Sequence, residues 1–167
     1  FDETEVIKFL KSDDDLFRVH QGDEWIVPYY LAARHKIYLT TGYDTLNLNY
    51  YNEFFRSINN YGENYTSKLL GVLNVKYILS STEINNSDFI FEKKINDTYI
   101  YRNKEYLPRF YFVYNNKFVN SSVIEYMKTS EFKPKNGVIL VDQVNFSKGQ
   151  NSSNKIEVLE ISPNRVK

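Results

Sequence analysis

Apolar positions recur along this chain with two different periods, and the switches between them mark out the elements. Val6, Phe9 and Leu10 share one face of a helix read over 2–11, with Asp2 placed to cap it and Glu5 three residues on. Asp13, Asp14 and Asp15 end it. Residues 16–20 are apolar around Arg18 and read as a strand, and 21–24 as a turn. Residues 25–34 fit neither period, and Pro28 weakens both readings. A short strand over 36–40 breaks at Thr41 and Gly42. The strongest helical signal covers 46–58: Leu46, Tyr50, Phe54 and Ile58 recur every four residues, and Tyr51 and Phe55 widen the stripe. Thr66 or Ser67 then caps a short helix that buries Leu69, Leu70 and Leu73. Residues 74–80 are β-branched and apolar, as in a buried strand.

The second half is strand-like. Residues 89–93, 98–102 and 110–114 read as strands, with Asn96-Asp97 as a hairpin turn between the first two. Ser122-x-x-Glu125 is a capping box for a helix through Ser130, with Val123, Ile124 and Met127 inward. Residues 138–141 read as a strand, 149–154 as a polar loop, and 156–161 and 165 onward as strands. The sum is an α+β fold: a mixed, largely antiparallel sheet with about four short helices concentrated in the first half. The pattern shows no βαβ rhythm, no internal repeat and no linker, so residues 1–167 read as a single soluble domain.

Composition narrows the function. Fifteen Tyr, 12 Phe and 1 Trp among 167 residues exclude a disordered chain. Twenty-one basic residues balance 21 acidic ones, and Lys93-Lys94 and Arg102-Asn103-Lys104 are isolated, which argues against nucleic acid. The absence of cysteine excludes disulfide and cysteine-based zinc chemistry. No window approaches the ~20 apolar residues of a membrane span. The richest, 69–79, is interrupted by Gly71, Asn74 and Lys76. The chain begins at Phe1, its single Met is Met127, and it stops just after a strand-like stretch. It therefore reads as a fragment of a larger protein.

Candidate chemistry is sparse. Asp13–Asp15 lack EF-hand spacing and read as a solvated helix end. His20 and His35 fit no metal or nucleophile motif, and no phosphate-binding or hydrolase signature is present. Catalytic, metal and cofactor sites are therefore expected to be none. Asn-x-Ser/Thr recurs at Asn64, Asn85, Asn96, Asn120, Asn145 and Asn151, in keeping with an Asn-rich composition. Trp25, Tyr29 and Tyr30 form the one grouping suited to a ligand, since aromatic faces with polar edges suit sugar rings or a partner. Tyr43 and Asp44, after Gly42, can supply a hydrogen-bonding carboxylate to the same place. A small carboxylate enzyme using Asp13, Asp23 or Glu24 is a weaker reading.

A set of ordered segments carries a resemblance. Leu16-Phe17-Arg18-Val19 is followed by Thr41-Gly42-Tyr43-Asp44-Thr45-Leu46 and Tyr50-Tyr51-Asn52-Glu53-Phe54. Then come the runs 69–79 (LLGVLNVKYIL), Tyr99-Ile100-Tyr101-Arg102-Asn103 and Leu107-Pro108-Arg109-Phe110. In order and spacing the chain, from about residue 2 to 167, resembles the extracytoplasmic C-terminal region of YfhO-like bacterial membrane proteins. That family looks like the GT-C class of lipid-linked-sugar glycosyltransferases, and its members are implicated in glycosylating envelope polymers such as teichoic acids.

The resemblance implies an extracytoplasmic domain of a polytopic cell-envelope protein. It would position a sugar or acceptor, or act as a scaffold, with no catalysis of its own. The catalytic carboxylate of GT-C enzymes sits between transmembrane helices, so no catalytic residue carries over to this chain. The implied partners are the transmembrane part of the parent and a glycan or lipid-linked sugar, with no nucleic acid. The alternative is a free-standing secreted carbohydrate- or protein-binding module. Lys76 and Arg109 fall within family-like runs. Lys76 is expected to pair with a carboxylate or extend to solvent, and Arg109 to fix the start of a strand.

Overall fold

The computed structural model describes residues 3–22, 25–41, 49–120, 122–140, 156, 157, 159, 161, 162, 165 and 166. Fourteen elements follow in order: α1 (Glu5–Lys11), β1 (Arg18–His20), α2 (Tyr29–Arg34), β2 (Tyr38–Leu39), α3 (Asn49–Ile58), α4 (Thr66–Val72), β3 (Val75–Ser80), β4 (Phe89–Ile95), β5 (Thr98–Asn103), β6 (Asn115–Phe118), α5 (Val123–Lys128), β7 (Gly137–Leu140), β8 (Ile161–Ser162) and β9 (Arg165–Val166). The fold is α+β around a mixed five-stranded sheet of order β2-β1-β3-β5-β4. β2 and β3 flank β1 in parallel through short ladders. β5 pairs antiparallel with β3 and β4 over longer ones. β6 pairs with β7 in parallel, and β8 with β9 antiparallel.

Helices cover both faces of the large sheet. On one face α1 and α2 bury Val6, Ile7, Leu10 and Leu31 against Val19, Tyr77, Leu79 and Ile100. On the other, α3, α4 and α5 bury Ile58, Leu69, Leu70 and Met127 against Val75, Ile78 and Tyr101. β3 is central and faces helices on both sides, so its near-continuous apolar run is the expected pattern.

Several local expectations change. Asp2 lies outside the described residues. The α1 cap is Thr4, whose Oγ1 accepts the Ile7 N–H at 3.3 Å. The ambiguous stretch after Trp25 contains α2, with Pro28 at its N-cap, where a missing N–H costs nothing. This α2 joins two parallel strands, so β1-α2-β2 is a βαβ unit. Its strands are three and two residues long, too short to show a period. Neither Thr66 nor Ser67 caps α4. Tyr65 holds the N-cap position with no side-chain bond, while Thr66 and Ser67 are buried inside the helix. The Thr66 hydroxyl donates to the Asn60 carbonyl at 2.6 Å.

Residues 110–114 are not a strand. Tyr111, Phe112, Val113 and Tyr114 are exposed, and the strand begins at Asn115. Arg109 therefore starts no strand; its guanidinium lies 5.9 Å from the Tyr38 ring centroid. Residues 156 and 157 are likewise not strand, and β8 starts at Ile161. The beginning of the 46–58 helix and the 149–154 loop lie outside the described residues.

Candidate functional site

The parallel strands β1 and β2 end at the same edge of the sheet, and Trp25, Tyr29 and Tyr30 belong to the chain that leaves β1 there. Gln21 fixes the first connection. Its Oε1 accepts the Val27 N–H at 2.9 Å and its Nε2 donates to the Val27 carbonyl at 3.1 Å, both buried. The side chain thus copies a strand pairing, and it holds Val27 in the core. Gly22 makes the bend at φ +57°, where an added Cβ would stand 3.1 Å from the Tyr61 hydroxyl.

With both ends of the loop tied down, Trp25 between them is pushed outward. It is 64% exposed, and its ring centroid lies 4.9 Å from that of Tyr29, tilted by 58°. Tyr30, the next residue of α2, is 61% exposed. An indole this exposed contributes little to a core and forms an apolar face with a donor at its edge. Tyr43, Asp44, Asp23 and Glu24 lie outside the described residues. The described chain passes Thr41 at this edge and resumes at Asn49.

Beneath the surface, His20 closes the end of β1. It is fully buried, its Nδ1 shares a hydrogen bond with Thr40 Oγ1 at 2.7 Å, and burial lowers its pKa to about 4. Phe55 and Tyr61 present ring edges to it at 5.7 Å. Its Nε2 has no partner among the described residues. The hydroxyl of Tyr51 donates to the Thr40 carbonyl, tying α3 to the same strand end. His20 is thus a neutral packing group with its ring edges against aromatics.

The runs 69–79 and 99–103 interlock with the rest of the fold through buried side-chain bonds. Asn74 takes the left-handed turn after α4 at φ 63°, and its Nδ2 donates to the Leu16 carbonyl at 3.2 Å and the Leu107 carbonyl at 2.9 Å. Asn103 answers from the other run, donating to the Ser67 and Val75 carbonyls at 2.8 and 3.2 Å. Gly71 lets the Glu105 carbonyl come so close that a Cβ would stand 2.0 Å from its oxygen.

Lys76 pairs with carboxylates as expected. Its Nζ lies 2.5 Å from Asp13 Oδ2 and 2.6 Å from Asp15 Oδ2, over the rings of Phe17, Tyr77 and Tyr106. Burial works against both charges. The bonds from Lys76 and Tyr77 outweigh it at Asp13, whose pKa falls below the usual carboxylate value, and those from Asp13 and Asp15 outweigh it at Lys76, whose pKa rises. Asp13 and Asp15 are thereby occupied in holding α1 to β3. No group of three metal-ligating side chains occurs among the described residues. No helix among them is long and apolar enough to cross a membrane.

Comparisons with family models, with curated proteins and with solved structures found no match to this chain.

Proposed function

We propose that this chain is the extracytoplasmic domain of a polytopic, glycosyltransferase-like envelope protein. In that role it positions a sugar or sugar acceptor, and the chemistry belongs to the membrane part of the parent. The ordered segments 16–19, 41–54, 69–79, 99–103 and 107–110 support the parentage. The observation that carries the binding role is exposed Trp25 packed on half-buried Tyr29, beside the Gln21–Val27 clamp at the edge where β1 and β2 end. Ligand sites in open sheets favour the crevice beyond strand carboxyl ends. A tilted aromatic pair offers a sugar ring an apolar face with polar neighbours.

Calorimetric titration of the full chain with short envelope glycans and with a lipid-linked sugar tests this. Saturable binding is expected, roughly tenfold weaker in Trp25→Ala, which is worth about 1.4 kcal/mol. Because Trp25 is exposed, this substitution should leave the thermal transition unchanged. Binding that ignores the substitution, or no binding by any of these ligands, contradicts the proposal.

A further inference from the structure

Remote from the aromatic edge, four stretches distant in sequence surround a cleft of about 390 Å³: the start of α4, Asp88 ahead of β4, Glu105 behind β5, and residues 130–136. That volume lies within the range of small-molecule sites, about 300–1,000 Å³. The cleft shares no lining residue with the Trp25 surface.

Its charges do not balance internally. Asp88 accepts the hydroxyl of buried Ser67 at 2.9 Å. Glu105 and Lys135 pair at 3.4 Å. Asp88 keeps its charge, so Lys68, Lys133 and Lys135 face two carboxylates and the lining carries one net positive charge. Lys68 donates to a neutral carbonyl, that of Thr129, at 2.6 Å, and its Nζ lies 5.6 Å from the centroid of the Phe132 ring. It is half-buried, and burial draws its pKa below the usual lysine value, with Glu105 only partly opposing this. Lys133, exposed and also lining the cleft, has no ion-pair partner among the described residues. A half-buried ammonium bonded only to a neutral carbonyl gains from an anion, because a charge-assisted bond is about twice as strong as a neutral one. Lysine meets an oxyanion as a point charge, so a phosphate monoester, carrying about −1.5 to −2, is held more strongly than a carboxylate.

We propose that this cleft binds a small phosphate ester, with Lys68 and Lys133 on the phosphoryl oxygens and Phe132 as its apolar wall. A second cleft, of about 190 Å³, adjoins the first through shared Phe132, Lys133 and Asn136 and leaves room for the organic part. The proposal is independent of the Trp25 reading.

Glucose 1-phosphate, inorganic phosphate, acetate and glucose are the probes, titrated calorimetrically against the full chain. Saturable binding of glucose 1-phosphate is expected. Binding should weaken roughly tenfold in Lys68→Gln and in Lys133→Gln, and stay unchanged in the charge-matched control Lys94→Gln. Lys133 is exposed, so its variant keeps the test valid should Lys68→Gln fail to fold. Inorganic phosphate should bind more weakly, acetate should not bind, and any heat from glucose should be unaffected by Lys133→Gln. Sedimentation with phosphatidylglycerol vesicles, abolished by Lys133→Gln, would assign the ester to a lipid headgroup; no sedimentation would assign it to a soluble or polymer-borne ester. The proposal is overturned if glucose 1-phosphate fails to bind at millimolar concentration, if acetate binds equally well, or if Lys94→Gln weakens binding as much as Lys133→Gln.

Discussion

His20 is fully buried, so its ring must stay neutral for the ends of β1 and β2 to remain joined at Thr40. Its pKa falls from 6.5 to about 4 on folding. Between those values the unfolded chain takes up a proton that the folded chain refuses, so stability declines as pH falls from about 6.5 toward 4. Urea unfolding at pH 7.5 and 4.5 should show a loss of about 2–3 kcal/mol from this group. His20→Gln should remove that part of the pH dependence, and an unchanged dependence would contradict the assignment. Asp13 titrates below this window, since its carboxyl is held below 3.8, and its ion pair is lost only as pH falls further. Gly71 makes a second residue-scale statement. Ala favours helices by about 1 kcal/mol over Gly, yet its Cβ would meet a backbone oxygen at 2.0 Å. Gly71→Ala should lower the thermal midpoint by several degrees, an overpacking cost of about 1–3 kcal/mol or more.

Elements with a long period were legible and short ones were not. The α3 stripe through Phe54 and Ile58, the α4 leucines and the β3 run are read correctly because burial imposes their pattern. The β4–β5 hairpin is read correctly because Asn96 can hold φ at +52° where most side chains cannot. Asn96→Gly should therefore leave the urea midpoint unchanged or raised, and Asn96→Val should cost about 1–2 kcal/mol. Equal midpoints for the two variants would refute this. The failures have physical causes. β-Propensity made 110–114 look like a strand, but propensity reflects a half-buried pleated surface that these residues do not have. The true strand, β6, is polar (NNKF) and exists through its pairing with β7. α2 was hidden by a proline that turned out to stand before the helix.

At the scale of the whole molecule, two apolar layers on either face of one sheet leave the chemistry to edges and crevices. The aromatic surface was legible because Trp25, Tyr29 and Tyr30 are close in sequence. The Gln21–Val27 clamp beside it was not, since a glutamine pairing with backbone six residues on leaves no pattern. The cleft between Lys68 and Lys133 was invisible for a stronger reason: its walls come from residues up to 72 positions apart, from Asn64 to Asn136. The runs 69–79 and 99–103 brace the fold through Asn74, Asn103 and Gly71, so they speak to architecture more than to ligand.

The central claim is that the edge bearing Trp25 receives a sugar. The chain has a single Trp, so its indole emission reports on that edge alone. Adding an envelope glycan or lipid-linked sugar to the full chain should shift and saturate the emission of Trp25, with the same dissociation constant as calorimetry. Emission that stays at the wavelength of a solvated indole throughout the titration, while calorimetry registers binding elsewhere on the molecule, would contradict the account.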